Sequence, residues 1–369
     1  MSSNANQYRL FGTPFSLYTG KARSYLYKKG IPFEEIHSTL RVYQKFIIPR
    51  TGVRFVPVVQ TPDDQVLQDT TVIIDELESQ FPERSVYPIT PKQRLVSLLL
   101  EVYGDEWLVI PAMHYRWNFD AVNQPFIYQQ FGTVISPKLP KLVRGWLGKK
   151  LGDKFRGFVP MLGINQQTIP AIEQSYTALL ADLNTHFEAH EYLLGSQPSI
   201  GDFGLIGPVY AHLYHDPYPG ELMRQTAPAV AAWVERMISK EPVSGSFLAK
   251  DEIPDSLLPV LQRMASEQLP TLMQIDGRLT QWRKENPNAA IPRSIGEGDF
   301  TIEGVTGQRM MMPYSLWMFQ RAVEFYQSQS QEVQSELDPF LQALGFGESL
   351  KNGLANSLAR VNNKLRFAD

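Results

Sequence analysis

The strongest constraint on the fold lies in the first 88 residues, where short apolar runs and helical periodicity alternate as strand, helix, strand and then strand, strand, helix. Tyr8 to Phe11 is a short apolar run, and Thr13-Pro14-Phe15 breaks it ahead of a helix expected from Leu17 to Lys29. Gly30 is placed to end that helix in the left-handed conformation, with Pro32 just beyond it. Phe33 to Ser38 reads as the second strand. Phe55 to Gln60 and Gln65 to Leu67 read as a hairpin turned by Thr61-Pro62-Asp63-Asp64. A helix opening at Asp69-Thr70 follows, with Ile73, Leu77 and Phe81 on one face and an end before Pro82.

From Pro91 the pattern changes to long helices. One is expected from Val96 to about Trp117, then an irregular stretch rich in Gly, Pro and basic residues to about Gly163. Helical periodicity returns at Ile169 to His190, Asp202 to Tyr214 and Thr226 to Ile238. Beyond Pro242 the chain predicts a β-hairpin over Asp299 to Met312 with Gly304 and Gly307 in its turn, then helices at Tyr314 to Gln327 and Ser349 to Phe367. The organisation expected is therefore 1–88, 89–241 and 242–369, since 369 residues exceed one ordinary core.

Composition removes whole classes of function. With no cysteine, the chain has no disulfide framework, no thiolate metal site and no cysteine nucleophile of its own. A formal net charge of −3 gives no global sign of nucleic-acid binding. No apolar run reaches the roughly 18 residues a membrane span needs, and MSSNANQYRL lacks the regions of a signal peptide, so a cytoplasmic location is expected. His186 and His190 are four apart, yet no third ligand accompanies them and no metal is expected. Phosphate-binding glycine loops and a nucleophile elbow are absent.

Three motifs in order carry a resemblance. The first is Ser16-x-Tyr18-Thr19-x-Lys21-x-Arg23 leading into Lys29-Gly30-Ile31-Pro32, and the second is Val56-Pro57-Val58 followed by Leu67-x-Asp69-Thr70-x-Val72-Ile73. The third is Tyr192-Leu193-Leu194-Gly195-x-x-Pro198-Ser199-Ile200-Gly201-Asp202-Phe203. Together, over about residues 8 to 240, the chain resembles the glutathione S-transferase superfamily in its serine-type form. The resemblance implies an α+β protein: an N-terminal thioredoxin-like domain, an all-helical domain of that family's type, and here a mostly helical C-terminal extension containing a β-hairpin. It also implies glutathione as co-substrate, its thiolate attacking a small hydrophobic electrophile, and a homodimer. An isomerase or dehalogenase using the same thiolate, and a non-catalytic adaptor in a protein complex, stay open beside it.

The chemistry explains the residue types. A thiol with a pKa of about 8.5 is only a few per cent ionised at neutral pH, and making the thiolate dominant takes roughly 2.7 kcal/mol of differential stabilisation. A helix N-terminus contributes about 0.3 to 1 kcal/mol and a hydrogen bond to a charged acceptor roughly 1.5 to 3, which together suffice. Ser16 stands just before the first helix and can give its hydroxyl to that sulfur, or act as an ordinary N-cap. Tyr18 and Thr19 compete for the sulfur contact, and Leu17 stands where many relatives have proline.

Under the same resemblance, the peptide before Pro57 is cis and offers the Val56 backbone to the cysteinyl backbone of glutathione. Asp69 and Thr70 would hold the γ-glutamyl end, a role compatible with capping the helix they open, and Arg54 would meet the glycyl carboxylate unless it is a solvated strand-end charge. Ser199 and Asp202 form a capping box with a structural task. Tyr103, Trp107 and His114, at spacings of four and seven, are candidate walls of the second-substrate pocket with Tyr18, or else core packing. The stretch 136–157 holds seven Lys and Arg against Asp153 alone, interleaved with apolar residues, and reads as a solvated insertion or a contact for an anionic surface.

Overall fold

A computed structural model describes residues 7–287 and 289–368. The leader reading made on the first ten residues falls mostly on 1–6, outside the described residues. The chain forms two compact units, neither contiguous in sequence: Met1–Val86, Ala112–Val159 and Leu205–Gly245 make one, and Tyr87–Pro111, Pro160–Gly204 and Ser246–Asp369 the other.

The first unit holds a four-stranded mixed sheet of β1 (Tyr8–Gly12), β2 (Phe33–His37), β3 (Val58–Gln60) and β4 (Val66–Gln68), in the order β2-β1-β3-β4. β1 and β2 run parallel, and β3 is antiparallel to both β1 and β4. This is the thioredoxin-like domain expected. The helix Leu17–Lys29 ends at Gly30 with φ 70°, the conformation that residue was placed to supply. Lys29 lies on the buried carboxylate of Glu78 at 2.9 Å, fixing that helix to the helix Thr70–Gln80. Leu10, Val59, Leu26, Ile73 and Leu77 are fully buried between these helices and one sheet face. The other face is covered by a helical excursion over 40–51 that the sequence reading passed over, in which Ile47 is fully buried and Phe46 stacks on Phe11 at 4.2 Å between ring centres.

The stretch read as irregular between Trp117 and Gly163 is instead a helical hairpin, Asp120–Ile135 and Lys141–Arg156. Its glycines, taken for breakers, are what bring the helices together. A Cβ on Gly148 would fall 1.8 Å from the Tyr128 carbonyl oxygen, and one on Gly132 would fall 2.1 Å from that of Arg144. The helices Pro217–Thr226 and Pro228–Ile238 complete this unit, and the latter meets the first helix through Ser24 Oγ, which donates to the Met237 carbonyl at 2.7 Å.

In the second unit the helix predicted over Val96 to Trp117 starts earlier, at Pro91, runs to Val102, and widens into a π-turn over Tyr103–Trp107 before helix resumes at Val109. The residues beyond Pro242 supply much of this unit's core. Gln268 donates to the Val102 carbonyl at 3.1 Å, Arg321 pairs with the buried Glu101, and Ile275, Leu279, Met311, Leu316 and Leu358 pack together. The hairpin at 299–312 forms as Glu297–Ile302 and Val305–Met310, with Glu303 and Gly304 at its turn. Gly307 lies in the second strand opposite Phe300, where a Cβ would meet the Phe300 ring at 2.9 Å. The helix expected over Ser349 to Phe367 is instead a second hairpin, Leu358–Val361 with Lys364–Phe367. Asn362 and Asn363 turn it at φ 51° and 61°. No helix of the described residues is long and apolar enough to cross a membrane.

Candidate functional site

Register brings three separate stretches to one end of the sheet. Phe11 pairs with Val58 and Val58 with Gln68, so the end of β1, the start of β3 and the end of β4 share one row. The loop to Ser16 leaves from the first, Val56-Pro57 enters at the second, and Asp69-Thr70 leaves from the third. Residues up to about 50 positions apart thereby frame a common edge, and all belong to the first unit.

Ser16 caps the helix Leu17–Lys29. Its backbone is extended, at φ −81° and ψ 128°, and its Oγ accepts from the Thr19 amide at 3.3 Å. That bond uses a lone pair of the hydroxyl and leaves its proton for an outside acceptor, so capping and donation to a ligand are compatible. The loop that positions Ser16 is tight. Its amide donates to the Thr13 carbonyl at 3.2 Å, and Thr19 lies against Gly12, where a Cβ would meet Thr19 Cγ2 at 2.1 Å. Thr19 is fully buried in this contact, whereas Ser16 and Tyr18 are half-buried. Behind the loop, Phe15 packs on Phe131 at 4.9 Å, and Arg116, fully buried, lies over the Phe15 ring and pairs with buried Asp216 through two 2.9 Å bonds.

The Val56-Pro57 peptide is cis. Val56 is half-buried and lies before the paired residues of β3. Asp69 has φ 89°, a conformation rare for a residue with a side chain, and accepts from the Thr71 amide at 3.0 Å as N-cap of the next helix. Thr70 is buried and Arg54 exposed.

The other site candidates divide between the two units. Tyr103 and Trp107 belong to the second unit and are sealed in its core: Tyr103 is fully buried, and Trp107 Nε1 donates at 3.1 Å to Glu267, whose carboxyl is pushed up from its usual range by burial. The π-turn between them also breaks the simple four-residue facing that an α-helix would impose. His114 belongs to the first unit, where it is buried edge-on to Tyr115 and Phe119 and its Nδ1 accepts from Asn118 at 2.8 Å. The sequence reading missed two residues at the relevant end of the sheet. His37 and Ser38 close β2 beside Gly12, and His37 Nε2 and the Ser38 hydroxyl are buried with no hydrogen-bond partner among the described residues. Such groups are seldom left unpaired. Only their position at the end of a strand paired with β1 could have drawn attention to them. Among the described residues no group of three or more His, Asp and Glu could hold a metal ion.

Residues 10–85 match the family model for the N-terminal domain of glutathione S-transferase, and residues 166–236 match that for the C-terminal domain. A search of curated proteins returned no match. Among solved structures, a beta-etherase from Sphingobium aligns at 19% identity over 63% of this chain and 94% of its own, with a TM-score of 0.43. A GST-like protein from Pseudomonas syringae gives 19% identity, 65% and 69% coverage and a TM-score of 0.44. A glutathione S-transferase from Methylobacterium radiotolerans, solved with glutathione sulfonate, gives 18%, 66%, 99% and 0.40. Overlaps of this size carry no weight for substrate or mechanism. The two domain matches occur in the family's order, and the first falls on the thioredoxin-like sheet with its capped serine helix, cis Val56-Pro57 bond and Asp69-Thr70 helix start. Residues 10–85 and 166–236 of the chain thus match the N- and C-terminal domains of the glutathione S-transferase superfamily.

Proposed function

We propose that the first unit binds glutathione and that Ser16 stabilises its thiolate for attack on a small hydrophobic electrophile. The observation that carries this reading is the Ser16 hydroxyl, half-buried at the start of a 13-residue helix, with one lone pair committed to the Thr19 amide and its proton available. The same sheet end offers the Val56 backbone for the peptide part of the ligand. Asp69 and Thr70 serve its γ-glutamyl group, and Arg54, an exposed cation, its glycyl carboxylate. On this reading capping by Ser16 and Asp69 is part of the site, because it fixes where the hydroxyl and the carboxylate stand. Tyr18 borders the sulfur, and Thr19 acts through its backbone amide.

Removing the Ser16 hydroxyl deletes one charge-assisted hydrogen bond, worth roughly 1.5 to 3 kcal/mol, so the bound thiol's pKa rises by about one to two units. Titration of thiolate absorbance in Ser16→Ala with saturating glutathione, beside turnover of a generic aryl halide, reads both quantities. An unchanged thiol pKa and unchanged turnover would remove Ser16 from the mechanism.

The second reading, a non-catalytic adaptor, draws on Tyr103 and Trp107 being closed into the second unit's core, which deprives the electrophile of two expected walls. It predicts retention on neither a glutathione matrix nor an electrophile assay, with a stable protein complex recovered instead.

A further inference from the structure

The helix Lys141–Arg156 turns the usual arrangement of a surface helix around. Its inward face is made of glycine: Gly145, Gly148 and Gly152 lie three, four and seven residues apart, and the last two are buried against Tyr128 and its neighbours. Phe155 packs inward on Phe131 at 5.0 Å between ring centres, but the close backbone packing leaves the large apolar side chains Leu142, Val143 and Trp146 uncommitted. They point outward instead, with Leu142 89%, Trp146 61% and Val143 42% exposed. Single exposed apolar residues are commonplace, but three large ones adjoining on one short face are not.

Charge surrounds this apolar cluster. Seven Lys and Arg stand between residues 136 and 157 against Asp153 alone, in a chain whose overall charge is −3. Asp153 is taken by Lys149 at 3.0 Å and by the Tyr128 hydroxyl at 2.7 Å, and Arg156 by Asp120 at 2.8 Å. Lys138, Lys141, Lys150 and Lys154 make no ion pair among the described residues, and three of them lie at the ends or along the outward face of the helix beside the apolar cluster. Lys150 Nζ sits 4.5 Å from the centre of the Trp146 ring. An indole with aliphatic neighbours, flanked by lysines whose stems can lie along it while their ammonium groups reach outward, matches the boundary between lipid headgroups and acyl chains.

We infer that this helix docks the protein on an anionic phospholipid surface, Leu142, Val143 and Trp146 entering the interface and Lys138, Lys141, Lys150 and Lys154 meeting the headgroup charge. The glycine-packed hairpin holds the apolar cluster outward, so the face exists before any membrane is met. A protein partner with an acidic rim would also be attracted to such lysines, but an apolar cluster led by tryptophan and bordered by unpaired lysines has the composition of a lipid interface.

The test is co-sedimentation of the full chain with vesicles of phosphatidylcholine alone and of phosphatidylcholine mixed with phosphatidylserine, at low and at physiological salt. Binding to the mixed vesicles, weakened by salt, with little binding to phosphatidylcholine alone, is the expected result. Each lysine near the surface is worth about fivefold, so K150Q/K154Q lowers the partition coefficient by about 25-fold, and L142S/W146S lowers it without changing the salt dependence. All four side chains lie outside the helix contact, and circular dichroism checks that the hairpin is intact. Equal binding to both vesicle types, or none to either, overturns the inference. So does a dimer that the same substitutions dissociate, because the face would then hold a second copy. None of these readouts depends on glutathione chemistry.

Discussion

Asp202 provides a sharp test of how the second unit's helical core is held. Its carboxylate is fully buried, with Oδ1 accepting from the Leu193 amide at 3.1 Å and Oδ2 accepting from the Ser199 amide at 2.8 Å and the Ser199 hydroxyl at 2.9 Å. One side chain thus satisfies the start of the helix Ile200–Ala211 and the turn before it. Asp202→Ala leaves two buried amides without an acceptor, each costing about 1 to 3 kcal/mol, and removes a favourable charge at a helix N-terminus worth about 0.3 to 1. The sum is roughly 2 to 7 kcal/mol, a large part of a stability of about 5 to 15. Asp202→Asn keeps one acceptor oxygen and should lose about half as much. Ser199→Ala removes a donor but strands no amide, so its cost stays near 1 kcal/mol. Equilibrium urea unfolding followed by far-ultraviolet circular dichroism and tryptophan fluorescence orders the three variants. Coincidence of the two probes checks that a single transition is being compared. An Asp202→Ala variant within about 1 kcal/mol of wild type would show that the amides find other acceptors, and the energetic account of this junction would fail.

Two further expectations follow from individual side chains. His186 is buried, and the loss of water, reinforced by His190, pushes its pKa from 6.5 down to about 4. Between those values the unfolded chain takes a proton that the folded protein refuses, so stability is complete above pH 6.5 and falls as pH drops toward 4, by about 3 kcal/mol in all. His186→Gln should flatten that part of the stability profile, and an identical acid dependence in urea midpoints would refute it. In the helical hairpin, Gly148→Ala drives a Cβ to within 1.8 Å of the Tyr128 carbonyl, whereas Gly145→Ala meets only the movable end of Gln129 at 2.6 Å. The first should destabilise the hairpin by about 1 to 3 kcal/mol and the second hardly at all. Hydrogen exchange of amides in 120–156 distinguishes them, and equal protection in both variants would contradict the packing described.

Legibility varied with how local each signal was. The first helix, its left-handed Gly30 and the succession of strands and helices along 8–80 were readable because each rests on residues adjacent in sequence, and the cis Val56-Pro57 bond was expected from the family resemblance of its motif. The hairpin over 120–156 was not, because glycine reads as a breaker unless it is known which backbone will lie against it. The closing β-hairpin was misread as helix. Its signal was present in Asn362-Asn363, two residues that tolerate positive φ, between short alternating runs.

By itself the sequence determined the chemistry on offer. It set a hydroxyl at a helix start, a proline in a strand, an Asp-Thr helix opening, no thiol anywhere, and a basic stretch with tryptophan in it. The tertiary structure decided which of these meet. Strand register carries Ser16, Val56-Pro57 and Asp69-Thr70 to one sheet end, while packing closes Tyr103 and Trp107 into a core and turns Leu142 and Trp146 outward. The physical reason is that helix capping and proline geometry act over a few residues, whereas burial depends on contacts far along the chain. No local pattern determines whether an aromatic side chain will be covered.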